Sequence, residues 1–165
     1  MKDALFDLLI EEGLDVDAIL FYMSEENLKK IMRKDYVMVG SDSSVWDTQG
    51  PLSVGKPHPR GFGTFPRFIR KYVFEENVLS LEDAVKKMTG QPAEKMGFVD
   101  RGFVKKGCKA DIVIFKKEDL RDNSTYESPH GYPSGIIRVM VNGRWVLAEG
   151  NLTGAYPGIV LLKNR

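Results

Sequence analysis

Cysteine is almost missing from the sequence: Cys108 stands alone, so there is no internal disulfide and no cysteine-cluster metal site. Histidine is nearly as scarce, with only His58 and His130. A hydrolase built on a histidine-rich metal centre is therefore not complete within these residues. No apolar run approaches the roughly 20 residues of a membrane span. Charge of one sign is not in excess either. Lys plus Arg number 24, Asp plus Glu number 23, and the net charge is +1. That balance argues against a general grip on nucleic acid or on an anionic membrane. No basic patch with interleaved aromatics is seen, and there is no internal repeat or low-complexity tract. Met1 to Asp7 brings acids too early for a signal peptide, so a cytoplasmic location is expected.

What remains is a chain of 165 residues, 42% apolar and 28% charged, the profile of a soluble globular protein with a core of its own. Leu5, Leu8 and Leu9 recur at helical spacing, and Gly13 is a stop signal. Ala18 to Met23 is a short continuous apolar run, as in a strand buried on both faces. Ser24 then caps a helix that carries Glu25 and Glu26 in its first turn and Leu28, Ile31 and Met32 on one face. Tyr36 to Val39 is a second buried-strand run, ending in Gly40-Ser41-Asp42. Strand, helix and strand with short joints predict a βαβ unit with parallel strands.

Residues 43–63 are crowded with Gly, Pro and Ser, which predicts a long loop of the functional kind. A helix is expected from an N-cap at Thr64 with Pro66 in its first turn and Phe65, Phe68, Ile69, Tyr72 and Val73 as its stripe. Ser80 to Asp83 forms a capping box, with Leu81, Ala84, Val85 and Met88 facing inward. Gly90 ends that helix. Pro92 opens a further turn through Met96, closed by Gly97. Beyond Gly97 the period changes to that of strands. Ala110 to Phe115 reads as one strand. Ile136 to Val141 and Arg144 to Leu147 flank Asn142-Gly143, a type I′ hairpin. Ile159 to Leu162 is a candidate last strand. Residues 1–97 are thus α/β and residues 98–165 all-β.

Asp42 is the most informative single residue, because α/β folds place their sites at the C-terminal ends of parallel strands. A strand-end Asp also caps turns. In the loop, His58 lies between Pro57 and Pro59, on stiff, non-helical backbone. It can be a ligand, an acid–base group or a hydrogen-bonded structural residue. Arg60 presents a planar fork suited to one carboxylate, or is a surface arginine. His130, Asp47 and the Lys105-Lys106 pair read as structural or surface groups. Trp46 and Phe62 either line a pocket or pack the loop.

The strings Val37-Met38-Val39-Gly40-Ser41-Asp42 and His58-Pro59-Arg60-Gly61-Phe62-Gly63-Thr64-Phe65-Pro66-Arg67 resemble the C-terminal region of the N-acyl-D-amino-acid deacylases. These are D-aminoacylase-like members of the amidohydrolase superfamily. Leu79 to Thr89, Pro92-Ala93-Glu94, Asp100-Arg101-Gly102, Gly107 to Phe115 and Val141-Asn142-Gly143 follow in the same order. The resemblance implies the last two βα units of an incomplete (β/α)8 barrel in residues 1–97, followed by part of a small β-sandwich in 98–165. It implies that Asp42 is the catalytic aspartate, a contact to a second metal being open to it, and that Arg60 holds the substrate's α-carboxylate, with His58 a further substrate-binding candidate. It implies zinc in the complete enzyme, with no metal ligands in this chain and none bound by it alone. The expected partners are the N-terminal part of the same enzyme, which carries the metal ligands, and a small N-acyl amino acid. The alternative is an inactive remnant that self-associates as a homo-oligomer through exposed barrel edges.

Overall fold

The structure, a computed structural model, describes residues 2–14, 16 and 20–162. Helix α1 spans Lys2–Glu11, and Gly13 at φ +62° turns the chain out of it. Its stripe stays in solvent, with Leu5 and Leu8 both exposed. Helix α2, Glu25–Met32, starts where Ser24 predicts, the Ser24 hydroxyl accepting from the Asn27 amide.

The two expected parallel strands are not formed. Residues 20–23 and 36–39 have no ladder partner, and Ala18 and Ile19 lie outside the described residues. The reason is physical. A strand apolar on both faces is stable only between neighbours that pair its amides and carbonyls. Among the described residues no strand flanks these segments, and Phe21, Tyr22 and Tyr36 are each more than three-quarters exposed. The 36–39 segment is held by a helix instead. The Val39 amide donates to the Lys87 carbonyl. The Lys87 ammonium, 5% exposed, donates to the carbonyls of Lys34 at 2.6 Å and Val37 at 3.1 Å. A buried cation thus finds its acceptors in the carbonyls just past α2.

Helix α3, Arg60–Arg67, begins ahead of the expected Thr64. Thr64 lies within the helix, its hydroxyl donating back to the Arg60 carbonyl at 2.8 Å. The loop is correspondingly shorter than 43–63, and a 3₁₀ turn occupies Gly50–Ser53. Beyond Pro66, which has no amide to donate, the helix widens to a π-helix over Phe68–Glu75. There the buried residues pair as Phe68/Ile69 and Tyr72/Val73, a repeat of four, while Phe65 on the tighter turn is left exposed. Helix α4, Leu81–Met88, has the expected cap, the Asp83 amide donating to the Ser80 hydroxyl at 3.0 Å. Its inner face holds Ala84 and Lys87, whereas Val85 points outward. Helix α5, Gly90–Met96, ends on Gly97 at φ +80°. One core joins α2, the π-helix and α4: Met32, Phe68, Tyr72, Val73, Val78 and Ala84. Burying such side chains stabilises by about 1.5–3 kcal/mol each.

The second half is a four-stranded antiparallel sheet in the order β1 (Ile112–Phe115), β2 (Ile136–Val141), β3 (Arg144–Ala148), β4 (Asn151–Leu152). Asn142 at φ +46° and Gly143 at φ +77° make the predicted two-residue turn. Glu149 at φ +52° and Gly150 at φ +82° make a second one, which produces β4. Residues 159–162 form no strand. None of the strand residues is buried, although both faces are apolar. The strands β1 and β2 are neighbours, yet the chain between them, residues 116–135, does not turn tightly. It travels out to α3 and back as a strap, anchored at its base by Leu120, 2% exposed, and Gly135. Gly135 has φ +80°, and a Cβ there would lie 2.5 Å from the Asp119 carbonyl carbon. We expect Gly135→Ala to open the base of the strap, read as faster amide exchange at Lys116, Arg121 and Ser134, whose amides bond across it.

Candidate functional site

Asp42, His58 and Arg60 line one cleft of about 540 Å³, together with Trp46, Met23 and Lys56. Asp42 stands at φ +48°, a left-handed backbone uncommon outside glycine. Such strain gathers at functional positions. Its carboxylate, 88% exposed, receives the Arg60 guanidinium at 3.0 Å, and the arginine side chain is itself 44% exposed.

The position of Arg60 follows from the residues before it. Pro59, at φ −51°, is the helix cap but offers no side-chain acceptor. His58 takes that part: its Nδ1 accepts from the Arg60 amide at 3.0 Å, while its carbonyl accepts from the Gly61 amide. Gly61 is required by contact. A Cβ there would meet Trp46 Cδ1 at 2.8 Å and the Ser43 hydroxyl at 3.0 Å. Trp46 in turn donates its indole N–H to Ser43, so the loop after Asp42 lies flat on the first turn of α3. This is what brings positions 42 and 60 together.

His58 is held neutral. Burial lowers its pKa below the ordinary 6.5, and the positive Arg60 lowers it further. A depressed histidine pKa means the unfolded chain binds the proton first. The contribution of His58 to the cleft is therefore full above about pH 6.5 and is lost as pH falls through the depressed value. A proton NMR titration of the His58 ring is expected to give a midpoint below 6.5. A midpoint at or above 6.5 would contradict the geometry.

Asp47, expected to be a surface charge, organises the loop. It accepts from the Thr48 amide at 2.6 Å and from the Tyr132 hydroxyl at 2.7 Å. The Tyr132 bond, then the Thr48 amide, holds the Asp47 carboxyl below its usual range, and the same bond pushes the Tyr132 phenol up. The strap makes further contacts. Tyr126 lies 3.3 Å from His58 Nε2, and Phe62 packs edge-on to both His130 and Tyr132. Tyr126, Tyr132 and Asp122 had no signal in the sequence beyond lying in a long loop. Among the described residues, no three His, Cys, Asp or Glu side chains stand close enough to hold a metal ion together. The residues of this cleft do not by themselves fit a metal.

The model of the Amidohydrolase family matches residues 15–147. The chain belongs to the amidohydrolase family. It is similar to an N-acyl-D-aspartate deacylase of Alcaligenes xylosoxydans xylosoxydans, 37% identical over 94% of this chain and 32% of that enzyme. A D-aminoacylase crystal structure superposes with a TM-score of 0.75 at 36% identity, over 92% of this chain and 32% of the other. An N-acyl-D-glutamate deacylase from Bordetella bronchiseptica, solved with zinc and a phosphonate mimic of the tetrahedral intermediate, superposes with a TM-score of 0.67 at 36% identity, over 79% and 27%. This amidohydrolase chain spans about a third of the length of the curated relatives it matches. Among its described residues no helix is long and apolar enough to cross a membrane.

Proposed function

We propose that this chain is the C-terminal third of a zinc-dependent deacylase that hydrolyses the amide bond of N-acyl-D-amino acids. Residues 1–97 then supply the last two βα units of the barrel and residues 98–165 part of a β-sandwich. The observation that carries this reading is the convergence of Asp42 and Arg60 in one cleft. A barrel needs about 250 residues, and the exposed apolar residues Leu20 to Met23 and Tyr36 are surfaces that neighbouring strands would cover. Zinc and its ligands belong to the remaining two-thirds of the enzyme.

Two roles fall to this chain. Arg60 grips the α-carboxylate with two parallel N–H donors and sets the amide beside Asp42. Asp42 takes the proton of the attacking water and returns it to the leaving nitrogen. Water adds to the acyl carbon, the C–N bond breaks, and a carboxylate and a free D-amino acid leave. The Asp42–Arg60 ion pair is no obstacle to this. Exposed pairs contribute only about 0–1 kcal/mol, so an incoming carboxylate displaces Asp42 from Arg60 at small cost.

The test is complementation. The chain is mixed, with zinc, with the N-terminal two-thirds of a relative such as the N-acyl-D-aspartate deacylase, and free amino acid is measured. Neither piece is expected to turn over alone, and the mixture is expected to. Turnover by the lone chain, or none by the mixture, overturns the proposal. In the active mixture Arg60→Ala removes a charged hydrogen bond worth about 1.5–3 kcal/mol, a loss of roughly 10–150-fold in kcat/KM for carboxylate-bearing substrates. An unchanged kcat/KM would mean that Arg60 is not the clamp.

The second reading, a non-catalytic module that self-associates, draws on the same exposed residues. Phe21, Tyr22 and Tyr36 are 77–78% exposed, and large apolar patches mark association surfaces. Light scattering on the purified chain distinguishes them: a clean monomer goes against self-association.

A further inference from the structure

The strap has no role in the reading above, and its course is unusual. Neighbouring antiparallel strands need only two to five residues to connect. Here residues 116–135 leave the sheet and reach α3 and the loop that precedes it. Asp122 pairs with Arg67 at 3.1 Å and lies against Gly63 on α3. Tyr132 bonds Asp47. Between them, Tyr126 stands edge-on to His58, ring centroids 5.2 Å apart, and edge-on to Phe21 at 4.9 Å.

The hydrogen bonds fix the sense of the chain of contacts. His58 Nδ1 accepts from the Arg60 amide, so in the neutral ring the proton sits on Nε2. Nε2 then donates to the Tyr126 hydroxyl oxygen at 3.3 Å. We propose that Tyr126 is a positioning residue: its hydroxyl holds the His58 ring, and the ring, through the Arg60 amide, sets where α3 begins and where the Arg60 guanidinium points. Tyr126 acts through His58 and not on the substrate. The His58 ring can rotate about its side-chain bonds, and Pro57 and Pro59 stiffen only the backbone around it. Without a partner at Nε2 the ring is free to leave the Arg60 amide, and the first turn of α3 loses its acceptor. The catalytic consequence rests on the proposed deacylase reading; the geometric one does not.

The experiment uses the full chain labelled with nitrogen-15, as wild type and as Tyr126→Phe, which keeps the ring contacts with Phe21 and His58 and deletes the hydroxyl. In the wild type the His58 ring is expected to show the single Nε2–H tautomer. In Tyr126→Phe the ring nitrogens are expected to shift towards a mixture of tautomers, and the Arg60 amide to move with them, while amides of the Phe68–Val73 core stay in place. Unchanged His58 and Arg60 signals would overturn the proposal, and so would equal shifts throughout the core. Should Tyr126→Phe not fold, Tyr126→Trp, whose indole N–H donates but cannot accept, is expected to give the same tautomer mixing. In the complemented enzyme the variant is expected to raise KM about three- to tenfold with kcat within twofold, and Tyr126→Phe with Arg60→Ala to be no worse than Arg60→Ala alone. An additive double variant overturns action through Arg60. A mixture with no turnover defeats the deacylase reading and leaves the NMR result standing.

Discussion

Asp42→Asn is expected to lower kcat of the complemented deacylase by about 10²–10⁴-fold, with KM changed little. The substitution isolates the chemistry. Asparagine has nearly the shape of aspartate and tolerates the left-handed backbone at φ +48° equally well, so no strain is added. It keeps a carbonyl oxygen toward Arg60, and the ion pair it forfeits is exposed and of small energetic value. The loss that remains is the ability to take a proton from water and pass it on. Initial rates over a range of N-acyl-D-amino acid concentrations separate the two constants. A kcat within tenfold of wild type would remove Asp42 from the proton transfer and leave it as a turn residue.

Arg101→Ala is expected to destabilise the chain by about 2 kcal/mol, within the range for losing charged hydrogen bonds from a buried arginine. The Arg101 side chain is 10% exposed and ties the start of β1 to the β2–β3 turn. One nitrogen donates to Asp111 ahead of β1 at 2.5 Å, the other to the Asn142 side chain in the β2–β3 turn at 2.9 Å. Asp111 also accepts from the Asn142 backbone amide at 2.7 Å. Removing the guanidinium takes the donor from one Asp111 oxygen and from the Asn142 amide oxygen where β1 meets the hairpin. In thermal unfolding this corresponds to a midpoint lower by roughly 4–8 °C. A change below about 1 kcal/mol would show the node to be dispensable. Arg101→Lys is expected to recover only part of the loss, since one ammonium cannot replace two divergent N–H groups.

That node shows what the sequence could disclose and what it could not. Asp100-Arg101-Gly102, Lys109-Ala110-Asp111 and Val141-Asn142-Gly143 are legible as three strings in order. That they meet at one point is a fact of long-range pairing, which no local pattern carries. Local signals served well where chemistry is local: the Ser24 and Ser80 caps, the Asn142-Gly143 turn and the Gly97 stop all stand where residue type alone puts them. They failed where tertiary contact decides. The start of α3 is set by the His58 ring and by Trp46 against Gly61, so Thr64, a good cap by type, was passed over. The second two-residue turn was hidden because Glu149 is an unusual residue at positive φ. Apolar runs at 20–23 and 36–39 show the composition of buried strands, but strand formation needs neighbours, and composition does not reveal whether they are present. The site was legible in part. Asp42, His58 and Arg60 are close in sequence and converge, whereas Tyr126, Tyr132 and Asp122 arrive from 52 to 85 positions away.

The strap also decides how far this polypeptide tolerates being divided. The change from helical to strand periodicity near residue 97 looks like a natural breakpoint for gene fission. A cut there would strand the loop between Asp42 and Arg60, because Tyr126, Tyr132 and Asp122 would then sit on a different piece from the groups they hold. The two pieces would have to find each other before Arg60 could be aimed. An evolutionary or engineered separation is better tolerated where few such ties cross, and the junction that reads as a seam in the sequence is a stitched one in space.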